Sequence, residues 1–392
     1  VSGESASELV EITSLAAGGE GVAREASGRV LFVRGAVPGD LARARVTEPH
    51  KRFARAEIAE LVRASAQRTQ PRCAVHGACG GCGWQHVAYE TQLAAKRAIL
   101  RDALARTAGV DLASIAPVEI APSPEPYGTR SRARLLWRDG ALGYRRGRSH
   151  ELVATSECPI LAPPLAAALR TLAASAPRGS GELALACGDA GEVSVSGARV
   201  AGFDERAISL HTRGGEVAIS PGGFFQAHAT LRGALADAVL AAVGSGARAL
   251  ELHAGAGFFT LALAAQFAEL IAVESEPRAV ADLRANLARA GRANVRVLPQ
   301  RASRALADRD VARFAPEAVV LDPPRIGIGE SEASALARLG AARIAYVSCD
   351  PATLARDLRV LLANGLRLAT CAGFDLFPQT PHLEALAVLE RA

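Results

Sequence analysis

Apolar and polar residues alternate in short runs over about the first 60 positions, in VEITSLAAGGEGVAR, RVLFVRGAVPGDLARARVTE and ARAEIAELV, and Gly or Pro interrupts the runs. A period of two puts alternate side chains on one face of a strand, and turn signals roughly every eight to twelve residues suggest a small antiparallel barrel. The period changes between about Tyr89 and Arg106, where Leu93, Ala94, Arg97, Leu100 and Leu104 recur at three and four and predict a helix. The middle of the chain returns to strands and loops. From Ala229 onward apolar runs alternate with helical stretches, in RALELHAG, ELIAVES, NVRVLP, EAVVLDPP, RIAYVSCD, RLATCAGFD and EALAVLE. That alternation predicts a mostly parallel, doubly wound sheet.

The chain has 392 residues, 49% hydrophobic and 22% charged. This is globular composition with room for two or three domains, and it excludes disorder as the main organisation. Charged residues interrupt every apolar run before the roughly 18 residues that a bilayer span needs. The N-terminal VSGESASELVEI lacks a basic-then-apolar signal, so we expect a cytoplasmic protein, with no membrane contact and no obligate protein partner evident. A net charge of +5 permits a polyanionic partner without requiring one. Lys51 and Lys96 are the only lysines, so almost all positive charge is arginine.

Four of the seven cysteines follow the pattern Cys73-x5-Cys79-x2-Cys82 with Cys158 much later. In a cytosolic chain this points to a metal rather than disulfides, and four thiolates can hold a tetrahedral zinc or an iron–sulfur cluster. Cys187 and Cys371 read as buried structural thiols. The segment holding Arg130, Arg132, Arg134, Arg138, Arg145, Arg146 and Arg148 carries one acid, Asp139. Arg130, Arg132 and Arg134 share a face if the segment is a strand, with Trp137 and Tyr144 nearby to stack on bases. A solvated charged face and an RNA backbone contact are both open readings.

The turn from Glu251 through His253, Gly255, Gly257 and Phe258 lies between a strand and a helix, where bare backbone admits a nucleotide-like ligand. Glu274 ends the next strand and is placed for a ribose diol. No Gly-Lys-Ser/Thr follows, which argues against a phosphate-binding loop and for an adenosyl cofactor without phosphates, such as S-adenosylmethionine. Asp322-Pro-Pro-Arg325 and Ser348-Cys349-Asp350-Pro351 fall at the carboxyl ends of the fourth and fifth strands, where open sheets carry their sites. Phe377-Pro-Gln-Thr-Pro-His382-Leu-Glu384 enters the last strand with a carboxylate able to act as a base.

Taken together these segments resemble the RNA 5-methyluridine methyltransferase family nearly end to end. GEGVAR, LFVRGAVPGD and FARAEIAEL look like a TRAM domain, an OB-like RNA-binding β-barrel, and CGGCGWQH with the distant Cys158 looks like the family's [4Fe-4S] site. LDPPR, YVSCDPATLARDL and FPQTPHLE resemble its catalytic blocks. The resemblance implies that Cys349 is the nucleophile adding to C6 of uracil and Glu384 the base removing the C5 proton. Gln226 in PGGFFQAH and Asp322 would line the cofactor and uracil pocket with His253, Gly255, Gly257, Phe258 and Glu274. It makes Cys73, Cys79, Cys82 and Cys158 the cluster ligands. Four positions depart from the family pattern: His253 for an aromatic, Phe258 for Asn, His228 for the Asn after FxQ, and Arg301 where Asn or Asp is usual. They leave the catalytic pair intact and alter the contacts offered to S-adenosylmethionine.

The expected organisation is an OB-like barrel over 1–62, a central α+β iron–sulfur region over 63–215, and an α/β Rossmann-like methyltransferase domain over 216–392. The expected reaction is S-adenosylmethionine-dependent C5-methylation of one uridine in structured RNA, 23S-type rRNA before tRNA. Two rivals are methylation of an amino nitrogen, for which Asp-Pro-Pro motifs also serve, and an RNA-binding module with a degraded cofactor pocket.

Overall fold

The computed structural model describes residues 7–175 and 178–391. Six strands, β1 (Glu8–Glu11), β2 (Ser14–Leu15), β3 (Gly21–Arg24), β4 (Val30–Arg34), β5 (Leu41–Pro49) and β6 (Phe53–Arg63), form one sheet in the order β1-β5-β6-β4-β3-β2. Neighbours are antiparallel except β4 and β6, which run parallel, so the expected antiparallel arrangement contains one parallel pair. Val10, Ile12, Leu31 and Val33 pack there with Ala23, Ala44, Ala54 and Ala56, and the alternation of β4 and β5 supplies Leu31, Val33 and Ala44.

A loop carrying Cys73, Cys79 and Cys82 leads into α1 (Tyr89–Asp102), which continues as a π-helical turn over Ala103–Ala108 and stops at Gly109, where φ is +74°. Leu93, Leu100 and Leu104 are buried as their spacing predicts, whereas Ala94 and Arg97 are exposed. Gln92 and Lys96 complete the buried face instead. β7 (Ile120–Ala121) follows. The central sheet has the order β10-β9-β8-β11-β12, from β8 (Arg132–Arg138), β9 (Ala141–Arg145), β10 (Leu152–Ala154), β11 (Ser180–Cys187) and β12 (Val193–Ser196). α2 (Pro163–Ala174) buries Leu165, Leu169 and Leu172 against it. A hairpin of β13 (Ile208–Thr212) and β14 (Gly215–Ile219) and helix α3 (Leu231–Val243) lead to the last layer.

There, β15 (Gly246–Leu252), α4 (Thr260–Gln266), β16 (Phe267–Glu274), α5 (Pro277–Arg289), β17 (Val295–Pro299), α6 (Ala302–Leu306), α7 (Arg309–Phe314), β18 (Ala318–Leu321), α8 (Gly329–Arg338), β19 (Arg343–Ser348), α9 (Pro351–Ala363), β20 (Leu366–Phe374) and β21 (Glu384–Arg391) alternate. All seven predicted runs are strands. Their order is β17-β16-β15-β18-β19-β21-β20, with β7 added at the far edge. β15 to β19 are parallel, and β21 enters antiparallel between β19 and β20. Apolar clusters fill both faces, which is why these strands read as continuous apolar runs. No helix among the described residues is long and apolar enough to cross a membrane.

Candidate active site

The carboxyl ends of the parallel strands meet one cavity of about 930 Å³. At its cofactor-sized end, β15 turns into α4 through His253 (φ +61°), Gly255 (φ +56°) and Gly257 (φ +103°). These left-handed angles are the ones glycine adopts without cost, and a Cβ on Gly257 would lie 2.9 Å from Leu283 Cδ1. Glu274 closes the turn from the next strand. Its Oε2 accepts from the Gly255 N–H at 2.9 Å, and its Oε1 accepts from Ser275 and Glu276 N–H groups at 2.6 and 2.8 Å. His253 Nε2 is buried without a protein partner, and the ring and Phe258 both line the cavity. A glycine cradle and an orphaned polar atom beside it fit an adenosyl ligand. Glu251 beneath the turn is buried, which pushes its carboxyl up to about 8.

At the other end, Asp322 follows β18, Cys349 follows β19 and Glu384 opens β21. Gln226 Nε2 donates to Asp322 Oδ2 at 3.0 Å, so two predicted pocket residues join directly. Burial pushes the Cys349 thiol up to about 11, Glu384 and Asp322 add to the rise, and Arg325 opposes it. Glu384 is 1% exposed, and burial and then Asp322 raise its carboxyl well above the usual range while Arg325 pulls it down. Its Oε1 accepts no hydrogen bond. Asp350, to which the sequence assigns no role, caps α9 by accepting from the N–H groups of Ala352 and Thr353 at 2.9 and 3.1 Å. The cap fixes the turn just after the thiol.

The four cysteines of the spaced pattern line the same cavity. Proximity to Cys158 adds to the burial that raises the Cys73, Cys79 and Cys82 thiols, so the distant cysteine joins the loop. The donors suit thiolates: Gly81 N–H points at Cys79 Sγ at 3.4 Å, and Gln85 serves Cys82. Among the described residues no three His, Cys, Asp or Glu side chains are grouped to hold a single metal ion. Cys187 and Cys371 are buried free thiols, as expected.

The arginine run divides. Arg145 pairs with Glu182, Arg146 with Glu151 at 2.7 Å and Arg148 with Glu20 at 2.5 Å. Among the described ion pairs none involves Arg130, Arg132 or Arg134, and all three line the cavity. Arg132 lies over the exposed Phe224 ring at 4.7 Å. Trp137 is buried in the central sheet and presents no stacking face to a base. Hydrogen bonds from Ser131 N–H to Ala227 O (2.7 Å) and from Ala229 N–H to Thr129 O (2.8 Å) seat these arginines beside Gln226.

Two departures from the family pattern lie away from the cavity wall. His228 is buried, its Nδ1 accepts from the Leu231 N–H at 3.0 Å at the start of α3, and its Nε2 faces Ser123 Oγ at 2.7 Å. Arg301 is exposed. Sequence reading also missed Gln92, Lys96, Asp357 and Asp375. Asp357, fully buried, accepts from Ile328 and Gly329 N–H at 2.9 and 3.1 Å and from the Tyr346 hydroxyl at 2.7 Å, which clamps the loop after Asp322. For Gln92, Lys96 and Asp357 the available signal was a polar residue inside an apolar helical period, and Asp375, in the turn after β20, offered none.

A doubly wound sheet with one inserted antiparallel strand, a glycine turn at its first strand and a thiol–carboxylate pair at its centre define a methyltransferase. The tRNA (Uracil-5-)-methyltransferase family profile matches residues 210–392, and a TRAM domain profile matches residues 7–59. The chain is 35% identical to the 23S rRNA (uracil(1939)-C(5))-methyltransferase RlmD of Edwardsiella ictaluri, over 98% of this chain and 96% of that protein. It is 36% identical to the RlmD of Halomonas elongata, over 98% and 89% respectively. The crystal structure of Pyrococcus abyssi tRNA (uracil-54, C5)-methyltransferase with S-adenosyl-L-homocysteine superposes with a TM-score of 0.75 at 26% identity, covering 97% of this chain and 99% of that one. The chain belongs to the RNA uracil-C5 methyltransferase family.

Proposed function

We propose that this protein methylates C5 of a uridine in 23S-type ribosomal RNA, with S-adenosylmethionine as donor and Cys349 as a covalent catalyst. The reading rests above all on the convergence of Cys349 and Glu384, from adjacent strands, in a cavity that also holds the glycine cradle. The Cys349 thiolate adds to C6, and the C5=C6 electron pair moves toward the uracil O4, so C5 becomes nucleophilic. Bound S-adenosylmethionine supplies an electrophilic methyl group to C5 and leaves as S-adenosylhomocysteine. The Glu384 carboxylate then takes the C5 proton, the C5–H pair rebuilds the double bond, and the C6–S bond breaks with its pair returning to Cys349. Gln226 and Asp322, already bonded to each other, offer amide and carboxyl groups to the uracil edge. His253, Gly255, Gly257, Phe258 and Glu274 form the cofactor's walls.

Arg130, Arg132 and Arg134 have no acid partner to displace among the described ion pairs, so they suit RNA phosphates. The target base has to leave its stack to reach a thiol at this depth. Cys73, Cys79, Cys82 and Cys158 would hold a [4Fe-4S] cluster, which ties the loop before α1 to the central sheet. We divide the chain into an RNA-binding barrel (1–62), a central region (63–215) and a catalytic domain (216–392).

The test uses anaerobically purified protein, S-adenosylmethionine labelled at the methyl group, and total RNA from cells lacking 5-methyluridine enzymes. Labelled 5-methyluridine in the 23S fraction is the expected product. Label confined to tRNA would move the substrate to the class named for the Pyrococcus abyssi enzyme, and label in another nucleoside would overturn the reaction. Visible absorbance and bound iron, both lost in Cys79→Ala, are expected of the cluster, and a colourless zinc protein would replace it.

A further inference from the structure

Glu384 reaches the cavity from a turn, residues 375–383, that links β20 to β21. Five polar atoms in the first half of that turn are held by α1, a helix far away in sequence. Lys96 Nζ donates to Asp375 Oδ1 at 2.5 Å and to Phe377 O at 3.0 Å, and Tyr89 donates its hydroxyl hydrogen to Asp375 Oδ2 at 2.8 Å. Gln92 and Gln379 are bonded reciprocally: Gln92 Nε2 donates to Gln379 Oε1 at 3.1 Å, and the Gln379 N–H donates to Gln92 Oε1 at 3.0 Å. Gln379 O accepts from Trp84 N–H at 2.9 Å, beside the cysteine loop. Lys96 and Asp375 are both 0% exposed, and Gln92 is equally buried.

Stability alone does not explain this arrangement, because a buried ion pair gains little over apolar residues of the same volume. Directional bonds of this kind fix a register. β21 lies between β19 and β20, and its pairing with β20 carries an irregularity between Leu368 and Thr370, so the turn that joins the two strands has to fix where β21 begins. A slip of one residue turns Glu384 to the opposite face of the sheet. Gln379 has φ +67°, a conformation that a non-glycine residue keeps when its surroundings over-determine it.

We propose that Gln92, Lys96, Asp375 and Gln379 are positioning residues that hold the turn so that Glu384 meets the C5 proton. The inference rests on the reading of Glu384 as the base. Loss of the hold slows the elimination step and leaves the addition by Cys349, on the neighbouring strand, largely untouched. Methylated RNA then stays bound to the enzyme through C6.

The test mixes full-length Gln379→Gly with methyl-labelled S-adenosylmethionine and the same RNA, quenches in denaturant, digests with nuclease and counts label retained on the protein. Glycine accepts φ +67° without strain, so the turn folds while the side-chain bonds of Gln379 to Gln92 Nε2 and to Pro126 O (3.3 Å) disappear and only its backbone N–H still reaches Gln92. Turnover is expected to fall about 10- to 100-fold, the loss typical of a misplaced group, while label appears on protein within about two-fold of the native rate and accumulates. Native turnover would overturn the proposal, and so would a parallel loss of adduct formation and turnover without accumulation, the pattern of a merely weakened fold. Gln92→Met, read by the same criterion, decides the matter where Gln379→Gly does not fold. Glu384→Gln runs alongside: if it retains no label while the native chain turns over, the base assignment fails, whatever the turn variants do.

Discussion

Cys349 and Glu384 leave adjacent strands at the same end, because the antiparallel register that sets Ser348 opposite Ala385 brings the next residue of each strand to the cavity. Burial raises both groups, with Glu384 adding to the rise at Cys349 and Asp322 adding to it at both. Arg325 is the cation that opposes this at both positions. Arg325→Gln is therefore expected to raise the Cys349 thiol further above its value of about 11. The thiolate is the form that reacts, so alkylation by iodoacetamide at a fixed pH should slow, about tenfold for each pKa unit. Arg325 is exposed, so salt screens part of the effect, and Arg325→Lys should restore most of the rate. Alkylation of Arg325→Gln at the native rate would remove Arg325 from the electrostatics of the pair.

The cofactor cradle makes a different prediction. Gly257 combines φ +103° with a Cβ position 2.9 Å from Leu283 Cδ1. Gly257→Ala is expected to cost about 1–3 kcal/mol of stability and to weaken S-adenosylmethionine binding by more than tenfold, because the turn has to move where the ligand lies. Gly255, whose Cβ would meet nothing within 4 Å, separates strain from crowding, since its φ is +56°. Calorimetric titration of both alanine variants should rank Gly257→Ala as the weaker binder.

The sheet was legible because its strands are buried on both faces and bounded by helical stretches, and the candidate site residues stood out because they fall at strand ends where apolar runs stop. Cys349 and Glu384 are 35 residues apart in sequence, and motif spacing could not say that they lie on neighbouring strands. The insertion of β21 between β19 and β20 decides that. Lys96 illustrates the opposite limit. In the sequence it is a polar residue breaking a helix's apolar period, and only its distant partner Asp375 gives it a place in the core. Arginine spacing was similarly incomplete, since Arg130 and Arg145 read alike until Glu182 is found beside the second.

That division of the arginines is testable on RNA. Arg132 has burial and two neighbouring guanidiniums acting on it, which bring it down to about 10, so it remains charged at neutral pH and unpaired among the described ion pairs. Arg132→Gln is expected to lower RNA affinity and to make the dependence of log K on log salt shallower by about one. Arg145→Gln, which removes a cation already engaged by Glu182, should change the slope much less. Equal slopes for the two variants would place Arg132 outside the phosphate path.

His228 stands where the family usually has Asn, and its hydrogen bonds explain how the fold accommodates it. Nδ1 accepts from the Leu231 N–H, so the ring is neutral with its proton on Nε2, facing Ser123 Oγ. Burial and then Arg232 lower the imidazole from 6.5 to about 4. Between those values the unfolded chain binds the proton and the folded chain does not, so stability rises with pH across that window. The contribution is therefore lost as pH falls from about 6.5 toward 4, and it is on the order of 3 kcal/mol. Asn at this position can still accept from the Leu231 N–H but cannot titrate. His228→Asn is expected to lose about 1 kcal/mol at pH 7, where the Ser123 contact is gone, and to lose less than the native chain on acidification. His86 and His382 are also lowered to about 4 by burial, so an acid limb remains in the variant with a smaller slope. Denaturant unfolding at pH 7, 6, 5 and 4.5 measures the difference, and parallel curves for the two proteins would show that His228 is not a source of the acid sensitivity.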